Sequence, residues 1–424
     1  MAIFNRSLSN SDVNVQFNMQ IQSVEDRIES FLAKKFRRSR SFATKRCYKV
    51  NLSRFTEFLS VKYNVDINQL IILLESKQKD PLDVLDDYYT FLSEYLKKDG
   101  KPYSTTTIKE YLMTSKEFLN SVGCKIYIED MKQKFTLPKR TVPYQEGITK
   151  EQINRLLRLA NRNLATIILM ACSSGMRISE ILQLKLSDVN LDVNPTTITL
   201  RRETTKTRET RITCISSEAT KALHDYITKY DSRIHLSSDQ YLFLKSHKMR
   251  LDSLKTRLET DHYKNHILKN RDTHRVKLLE KEMIEFSLEE QYSRSLITAR
   301  QNYENQLRKL ISEIPELSKR NENGQYVIHF HAFRAWFKTQ VTDAHQSDFA
   351  EALMGHKSIK LVYYRQNEKK RSQTYLDVEY ALTITNTDQI DQNYSDIQRD
   401  NQELRNIVDN LSRQLQNLEK KIRV

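Results

Sequence analysis

The sequence predicts a mainly α-helical protein with one small β-hairpin and a C-terminal coiled-coil helix. The 424 residues include only 6 Gly and 6 Pro, and long runs of Lys, Glu, Leu and Gln favour helices. The segment TTITLRRETTKTRETRITCIS alternates apolar and polar residues about a charged centre, as two strands joined by a turn do. A sustained 3-4 spacing of apolar residues closes the chain. The length allows two or three domains.

Charge and cysteine usage narrow the class of protein. Lys plus Arg number 69 against 54 for Asp plus Glu, which gives a net charge of +15, typical of nucleic-acid binders and also found in ribosome-associated and membrane-surface proteins. The sequence has no signal peptide and no membrane-spanning run, so we expect a cytoplasmic, nucleoid-associated protein. The cysteines lack C-x-x-C spacing, so we expect buried reduced thiols and neither a zinc site nor a disulfide framework. These cysteines are Cys47, Cys124, Cys172 and Cys214.

The N-terminal part is predicted to be a flexible arm followed by a helical domain. Residues 1–20 are rich in Ser, Asn and Gln, whereas residues 21–133 show successive amphipathic helices. One helix has its N-cap at Ser41 and an apolar stripe of core residues, and another begins at Ser104 and ends at Gly123. The stripe consists of Tyr48, Leu52, Phe55 and Leu59.

Basic residues in this domain and in the segment after it are candidate DNA contacts. They could form a solvated face, but we favour contact with DNA phosphates. In the helical domain these residues are Arg37, Arg38, Arg40, Lys45 and Arg46. Residues 134–147 contain Pro138 and Pro143 and are predicted to be an extended linker, with Lys139 and Arg140 as further candidates.

A second domain is predicted over residues 148–385. Thr149 is a plausible N-cap, and the apolar stretch NLATIILMACSSG predicts a deeply buried helix. Gly175 is expected to end that helix and to place Arg177 at the start of the next, ISEILQLKL, facing a phosphate. Glu180 is expected to support Arg177 and not to act as a catalyst.

The hairpin and a long charged stretch follow. Lys206 lies near the predicted hairpin tip, where it could simply be exposed. The four arginines of the hairpin are candidate contacts to the DNA backbone. They are Arg201, Arg202, Arg208 and Arg211. Residues 247–320 lack glycine and show helical apolar spacing, which predicts an insertion of two long helices; DNA contact or a protomer interface are open roles for it.

The stretch HFHAFRAWFKTQVTDAHQSDFAEALMGHKSIKLVYYR combines the side chains that phosphoryl chemistry on DNA needs without a metal. His331 and Arg334 are one helical turn apart, and His356 follows a glycine. Arginine fits a phosphate bidentately, and histidine donates a hydrogen bond or a proton near neutral pH. A hydroxyl of Tyr363 or Tyr364 can attack phosphorus and form a covalent intermediate.

These motifs resemble those of the tyrosine recombinases, or phage-type integrases. The H-x-x-R of His331 to Arg334, the L-M-G-H ending at His356, the trailing tyrosine and SSGMRISEILQLKLSDV carry the resemblance over roughly residues 25–385. The Y-Y-R sequence and the L-T-I at Leu382–Ile384 are most similar to integrases of archaeal mobile elements. The resemblance implies a helical core-binding DNA domain and an α+β catalytic domain that grip double-stranded DNA at attachment sites as a C-shaped clamp.

The resemblance also implies the mechanism. Arg177, Arg334, His331 and His356 would stabilise the scissile phosphate, and Lys206 would protonate the leaving 5′ oxygen. A tyrosine would form a 3′-phosphotyrosyl link without ATP or metal. The Y-Y-R pattern favours Tyr363, although distance along the chain favours Tyr364. Tyr375 and Tyr380 lie too far downstream to be the nucleophile and are expected to be packing residues. A topoisomerase IB-like enzyme or telomere resolvase shares this chemistry, and a non-catalytic DNA-binding scaffold is the alternative from another class.

Residues 386–424 are predicted to form a coiled coil. A tetramer on DNA is implied by the resemblance, and the tail could link protomers as a parallel dimer, since Asn401 occupies an interior a position and leucine predominates at d. The alternative is a single helix that folds back onto its own domain. The a positions are Tyr394, Asn401, Val408, Leu415 and Ile422, and the d positions are Ile390, Ile397, Leu404, Leu411 and Leu418.

Overall fold

A computed structural model of the chain describes seven stretches, which form two compact units, one within Met1–Val142 and one within Pro143–Val424. The stretches are residues 23–97, 100–135, 146–234, 237–259, 266–321, 324–356 and 366–385. The predicted arm, the coiled coil and most of the linker lie outside the described residues. So do Lys139, Arg140, Tyr363 and Tyr364.

The first unit is helical, as its amphipathic pattern predicts. Its helices are α1 (Val24–Ser39), α2 (Phe42–Tyr63), α3 (Ile67–Glu75), α4 (Pro81–Glu94), α5 (Thr105–Ser121) and α6 (Ile128–Lys134). Ser41 caps α2 by accepting from the Thr44 backbone N–H, and Ser104 caps α5 in the same way from Thr107. The predicted stripe forms the core, because Leu52, Phe55 and Leu59 are fully buried; helix α5 ends two residues before Gly123.

The second unit combines helices with a small antiparallel sheet. Its first elements are α7 (Lys150–Leu159), α8 (Arg162–Ser174), α9 (Ile178–Leu182), β1 (Val189–Asn190), β2 (Thr196–Leu200), β3 (Arg211–Ile215) and α10 (Ser217–Ile234). The strand order is β1-β2-β3, and Ile198 of β2 pairs with Thr213 of β3. The predicted hairpin is therefore confirmed, and the structure adds the short strand β1, whose two residues are too few to show an alternating pattern.

The remaining helices are α11 (His247–Glu259), α12 (His266–Glu285), α13 (Leu288–Ser312), α14 (Phe330–Asp343), α15 (Ser347–Met354) and α16 (Glu368–Leu382). The prediction of two helices over residues 247–320 was wrong, since α11, α12 and α13 occupy this stretch. Ser287 caps α13 by accepting from the Glu290 backbone N–H. That S-x-x-E cap was the available signal for the break before α13.

Helix α8 lies at the centre of the second unit, packed against α10 and α14. Most of its residues are buried, from Leu164 to Ser174, which confirms the prediction from its apolar sequence. Within the described stretches, no helix is long and apolar enough to cross a membrane.

Two expectations about burial hold only in part. Cys172 and Cys214 are buried thiols, but Cys47 is exposed because it lies on the outer face of α2. Tyr375 is fully buried and its hydroxyl donates to the Ser173 carbonyl at 2.6 Å. Tyr380 is 46% exposed and lies outside the stripe of α16 that faces the core, so of the two tyrosines only Tyr375 is a core residue.

Candidate active site

Arg334 is a buried cation that ties three parts of the second unit together. It is 1% exposed, and its guanidinium donates to the Gly175 carbonyl after α8 and, at 2.9 Å, to the Met354 carbonyl at the end of α15. The same group lies 3.0 Å from Nε2 of His356. Burial is the main cause, and repulsion from Arg177 the second, of a lowered pKa of Arg334, about 10. The side chain therefore remains charged at neutral pH.

Arg177 is positioned by the turn between α8 and α9. Gly175 ends α8 with a φ of 64°, and a Cβ there would lie 2.5 Å from the Phe337 ring, so only glycine fits. Two residues later Arg177 caps α9: its backbone N–H donates to Glu180 at 2.8 Å, and its guanidinium donates to the other carboxylate oxygen at 3.0 Å. The Arg177 side chain stays 26% exposed, so it is anchored yet accessible.

Glu180 and Arg211 form a buried ion pair beneath Arg177. Arg211 binds both carboxylate oxygens, at 2.7 and 3.2 Å, while its Nε donates to the Leu353 carbonyl at 2.9 Å. Burial alone raises the pKa of Glu180, but the hydrogen bonds and charges of Arg211 and Arg177 outweigh it, so the pKa is lowered. The contact of Arg211 with DNA stays a prediction; in the structure its side chain is only 10% exposed and is engaged in this pair.

His331 lies in the first turn of α14 and lines the same cleft as Arg177 and Arg334. Burial is the main cause, and repulsion from Arg334 the second, of a pKa of His331 below its usual value. The imidazole is therefore neutral at pH 7. The His329 ring lies beside it, with ring centroids 6.3 Å apart. A neutral imidazole donates a hydrogen bond from one nitrogen without adding charge.

His356 is held from both sides. Because an arginine has no acceptor, Nε2 of His356 accepts from Arg334, and Nδ1 carries the proton that is donated to Glu351. Glu351 also pairs with Lys338. In this arrangement His356 supports Arg334, and its Nε2 is already occupied. Sequence reasoning missed Glu351, since no spacing rule links an acid in α15 to a histidine beyond the helix end.

A cleft of about 650 Å³ opens at this point of the second unit. Its walls come from α9, α13, the segment before α14 and the first turns of α14. The polar lining residues are Arg177, Ser179, Arg300, Glu304, Arg308, Arg320, Asn321, Gln325, Tyr326, His329, His331 and Arg334. The structure thus brings three predicted catalytic residues to one cavity and adds four arginine and histidine side chains that the sequence motifs did not indicate.

The other predicted site residues lie elsewhere. Lys206 is exposed in the turn between β2 and β3 and does not line the cleft; Arg202 and Arg208 are exposed in the same turn. The contact of Arg201 with DNA stays a prediction; in the structure its guanidinium donates to the Gln183 carbonyl at 2.7 Å and lies 3.5 Å from Asp188. It anchors the base of the hairpin.

The candidate DNA contacts of the first unit are mostly on its surface. Lys45 is partly buried and pairs with Glu29 at 3.0 Å. The exposed candidates are Arg37, Arg38, Arg40 and Arg46. No group of three or more His, Cys, Asp or Glu side chains in the described part of the chain is arranged to hold a metal ion.

Comparison with known proteins finds a family model that matches part of the second unit. Residues 146–280 match the model of the phage integrase family. The match includes Arg177 and Lys206 and ends before the His331–Arg334 motif.

Among curated proteins, the chain is similar to the tyrosine recombinase XerS of Streptococcus agalactiae serotype III (strain NEM316). The two are 33% identical over 123 residues, which is 26% of this chain and 33% of the relative. The similarity thus spans about a third of the relative's length. XerS of Streptococcus pyogenes serotype M49 (strain NZ131) is 32% identical over the same length.

Among solved structures, XerH site-specific recombinase bound to difH substrate is 16% identical, with a TM-score of 0.46, covering 87% of this chain and 90% of that one.

Proposed function

We propose that the protein is a site-specific tyrosine recombinase that cleaves and rejoins double-stranded DNA. The observation that carries the proposal is that Arg177, His331 and Arg334, drawn from two distant sequence motifs, line one cleft. Two guanidinium groups and a neutral imidazole are suited to a phosphodiester whose negative charge increases in the transition state. The match to the phage integrase family model supports the same class.

Each described residue then has a defined role. Arg177 and Arg334 bind the non-bridging oxygens of the scissile phosphate, and both are held rigidly by hydrogen bonds within the unit. Neutral His331 donates a further hydrogen bond. His356 and Glu351 position Arg334, because the imidazole accepts from the guanidinium.

The attacking group is proposed to be Tyr363, with Tyr364 as the alternative. The tyrosine oxygen would attack phosphorus, form a 3′-phosphotyrosyl bond and expel the 5′ oxygen, which Lys206 would protonate. A 5′ hydroxyl of a partner strand would reverse the step. The phosphodiester energy is retained in the protein–DNA bond, so the reaction requires no ATP.

Partners and origin are proposed on the same basis. The exposed basic residues of the first unit, such as Arg37 and Arg46, would contact the DNA backbone at the attachment site. A tetramer on DNA, with a tail that dimerises, would bring the strands together. The Y-Y-R sequence supports an integrase of an archaeal mobile element, and direct repeats that flank the gene would bear this out.

A covalent adduct tests the proposal. The protein is incubated in chelator with a nicked suicide duplex that carries its site, and we expect a slower band on a denaturing gel. Peptide mapping of the adduct, together with Tyr363→Phe and Tyr364→Phe, identifies the nucleophile. Specific binding without any adduct would contradict the proposal and favour a non-catalytic scaffold.

A further inference from the structure

The cleft carries more positive charge than one phosphate needs. Its lining includes five arginines, at positions 177, 300, 308, 320 and 334, and one carboxylate, Glu304. Arg177 and Arg334 are tied to Glu180, Gly175 and Met354 on one side. The other three arginines come from α13 and the segment that follows it, so the cations fall into two groups on different elements.

Helix α13 presents one face to the cleft. Its lining residues are Arg300, Glu304, Leu307 and Arg308, at positions i, i+4, i+7 and i+8, the spacing of a single helical stripe. Leu307 is 2% exposed and anchors the helix in the core, while the adjacent Arg308 is exposed. The last helix of the insertion is therefore a wall of the candidate active site, which the sequence did not indicate.

The arginines of this wall differ in their availability. Arg300 donates to Glu304 at 2.8 Å, so the charge of Arg300 is largely offset locally. Arg308 makes no hydrogen bond or ion pair with the described residues. Arg320 donates to the Gly324 carbonyl at 2.8 Å and lies over the Tyr326 ring at 4.1 Å, which holds its guanidinium in place without a negative partner among the described residues.

We propose that Arg308 and Arg320 form a second phosphate-binding site, which takes a DNA backbone phosphate adjacent to the scissile one. The proposal rests on the proposed function, because it assumes that the cleft receives DNA. A guanidinium binds phosphate with paired, directed hydrogen bonds, and a cleft lined by one sign of charge concentrates an anionic ligand. The site gives the insertion a role in DNA binding, carried by the C-terminal half of α13.

The test measures binding to the cognate duplex as a function of salt. Arg308→Ala, Arg320→Ala and the double variant are compared with Lys309→Ala, a control one residue along α13 whose side chain is 80% exposed and does not line the cleft. Loss of one phosphate contact should lower the slope of log affinity against log salt by about 0.9 in magnitude, and the control should match the wild type. Arg308→Lys should restore much of the slope.

A methylphosphonate scan locates the contact. Replacing phosphates one at a time on either side of the scissile position should weaken wild-type binding most at a single neighbouring phosphate. At that position the double variant should lose no further affinity, since the contact is already absent. Unfolding curves that superimpose on the wild type establish that the variants fold.

The outcomes separate the two proposals. A wild-type adduct together with unchanged salt slopes and an unchanged methylphosphonate profile in the double variant would overturn the second site and leave the recombinase proposal intact. A change in oligomeric state with an unchanged slope would also overturn it, in favour of a protomer interface at α13. Absence of the wild-type adduct would contradict the recombinase proposal itself.

Discussion

The candidate active site and the interior of the insertion, around His247 and Asp272, both bury polar or charged groups, but the cleft is lined by residues of the former and by neither His247 nor Asp272. In the site, Glu180 and Arg334 are each 1% exposed. In the insertion, Asp272 is fully buried and His247 is 2% exposed. Burial of a charged side chain is costly unless it is paired or hydrogen-bonded: Glu180 and Asp272 pair with arginines, and Arg334 donates to two carbonyls.

The insertion also brings together a serine, a histidine and a glutamate, the residue types that many hydrolases use. Nδ1 of His247 lies 2.8 Å from the Ser295 hydroxyl, and Nε2 lies 3.0 Å from Glu282, which Arg294 also binds at 3.1 Å. Ser295 is only 2% exposed, however, and unlike Arg334 it does not line the cleft. These contacts join α11, α12 and α13.

The difference lies in access. The outer members of the active-site network, Arg177 and His331, line a cleft, whereas His247 and Ser295 are enclosed. Residue types and mutual distances therefore define a site only when part of the network reaches solvent. Substitutions in the two regions should therefore separate activity from stability.

The largest effect is expected for Arg334→Ala. It removes the donor to two buried carbonyls, those of Gly175 and Met354, which should destabilise the second unit by about 3 kcal/mol in urea unfolding. It should also abolish the DNA adduct. Arg177→Ala is the matched variant: it should abolish the adduct with a smaller loss of stability, since Arg177 is 26% exposed. Retained adduct in both variants would contradict the assignment.

Asp272→Asn should lower stability and leave chemistry intact. The carboxylate lies 3.1 Å from Arg257 and 3.6 to 3.7 Å from Arg271 and Arg275, all of which are about half exposed. Its loss leaves three cations facing each other and should cost about 2 kcal/mol. The amount of adduct formed at saturating DNA should be unchanged. A large loss of adduct in a folded variant would show that this cluster also serves the cleft.

Ser295→Ala tests whether the hydrolase-like set is structural. Removing the hydroxyl leaves His247 with one partner fewer and should destabilise the insertion by about 1 kcal/mol. Adduct formation should equal that of the wild type. If Ser295→Ala abolished a hydrolytic activity of the protein, the conclusion drawn from its burial would be wrong.

The smallest effect is expected for Glu351→Gln, as a change in pH dependence. Burial raises the pKa of Glu351, but the hydrogen bonds from Lys338 and His356 outweigh it, and the pKa lies below its usual value. A carboxyl with a lowered folded-state pKa stabilises the protein above its unfolded-state pKa, and this contribution is lost as pH falls through the lowered value. Wild-type stability should therefore decline more steeply than that of Glu351→Gln below about pH 5. If stability fell equally with pH in the wild type and in Glu351→Gln, the stabilising role of this ion pair would be contradicted.

The sequence by itself determined the local features of the fold. Ser41 and Thr149 cap their helices, Gly175 ends α8, and the hairpin forms where residues alternate. Each of these features depends on residues within a few positions of one another, because capping bonds, turn dihedrals and helix or strand periodicity are local. The sequence also showed the order of the predicted motifs, with Arg177 before His331 and Arg334.

Tertiary structure decided which side chains share a site. Arg211 lies 31 positions from the Glu180 that it binds. Helix α13 reaches the cleft although periodicity showed only that its apolar stripe faces some core. No local pattern specifies such partners, because a contact between distant segments depends on how whole helices pack. That packing leaves Arg177 in a cleft and encloses Ser295.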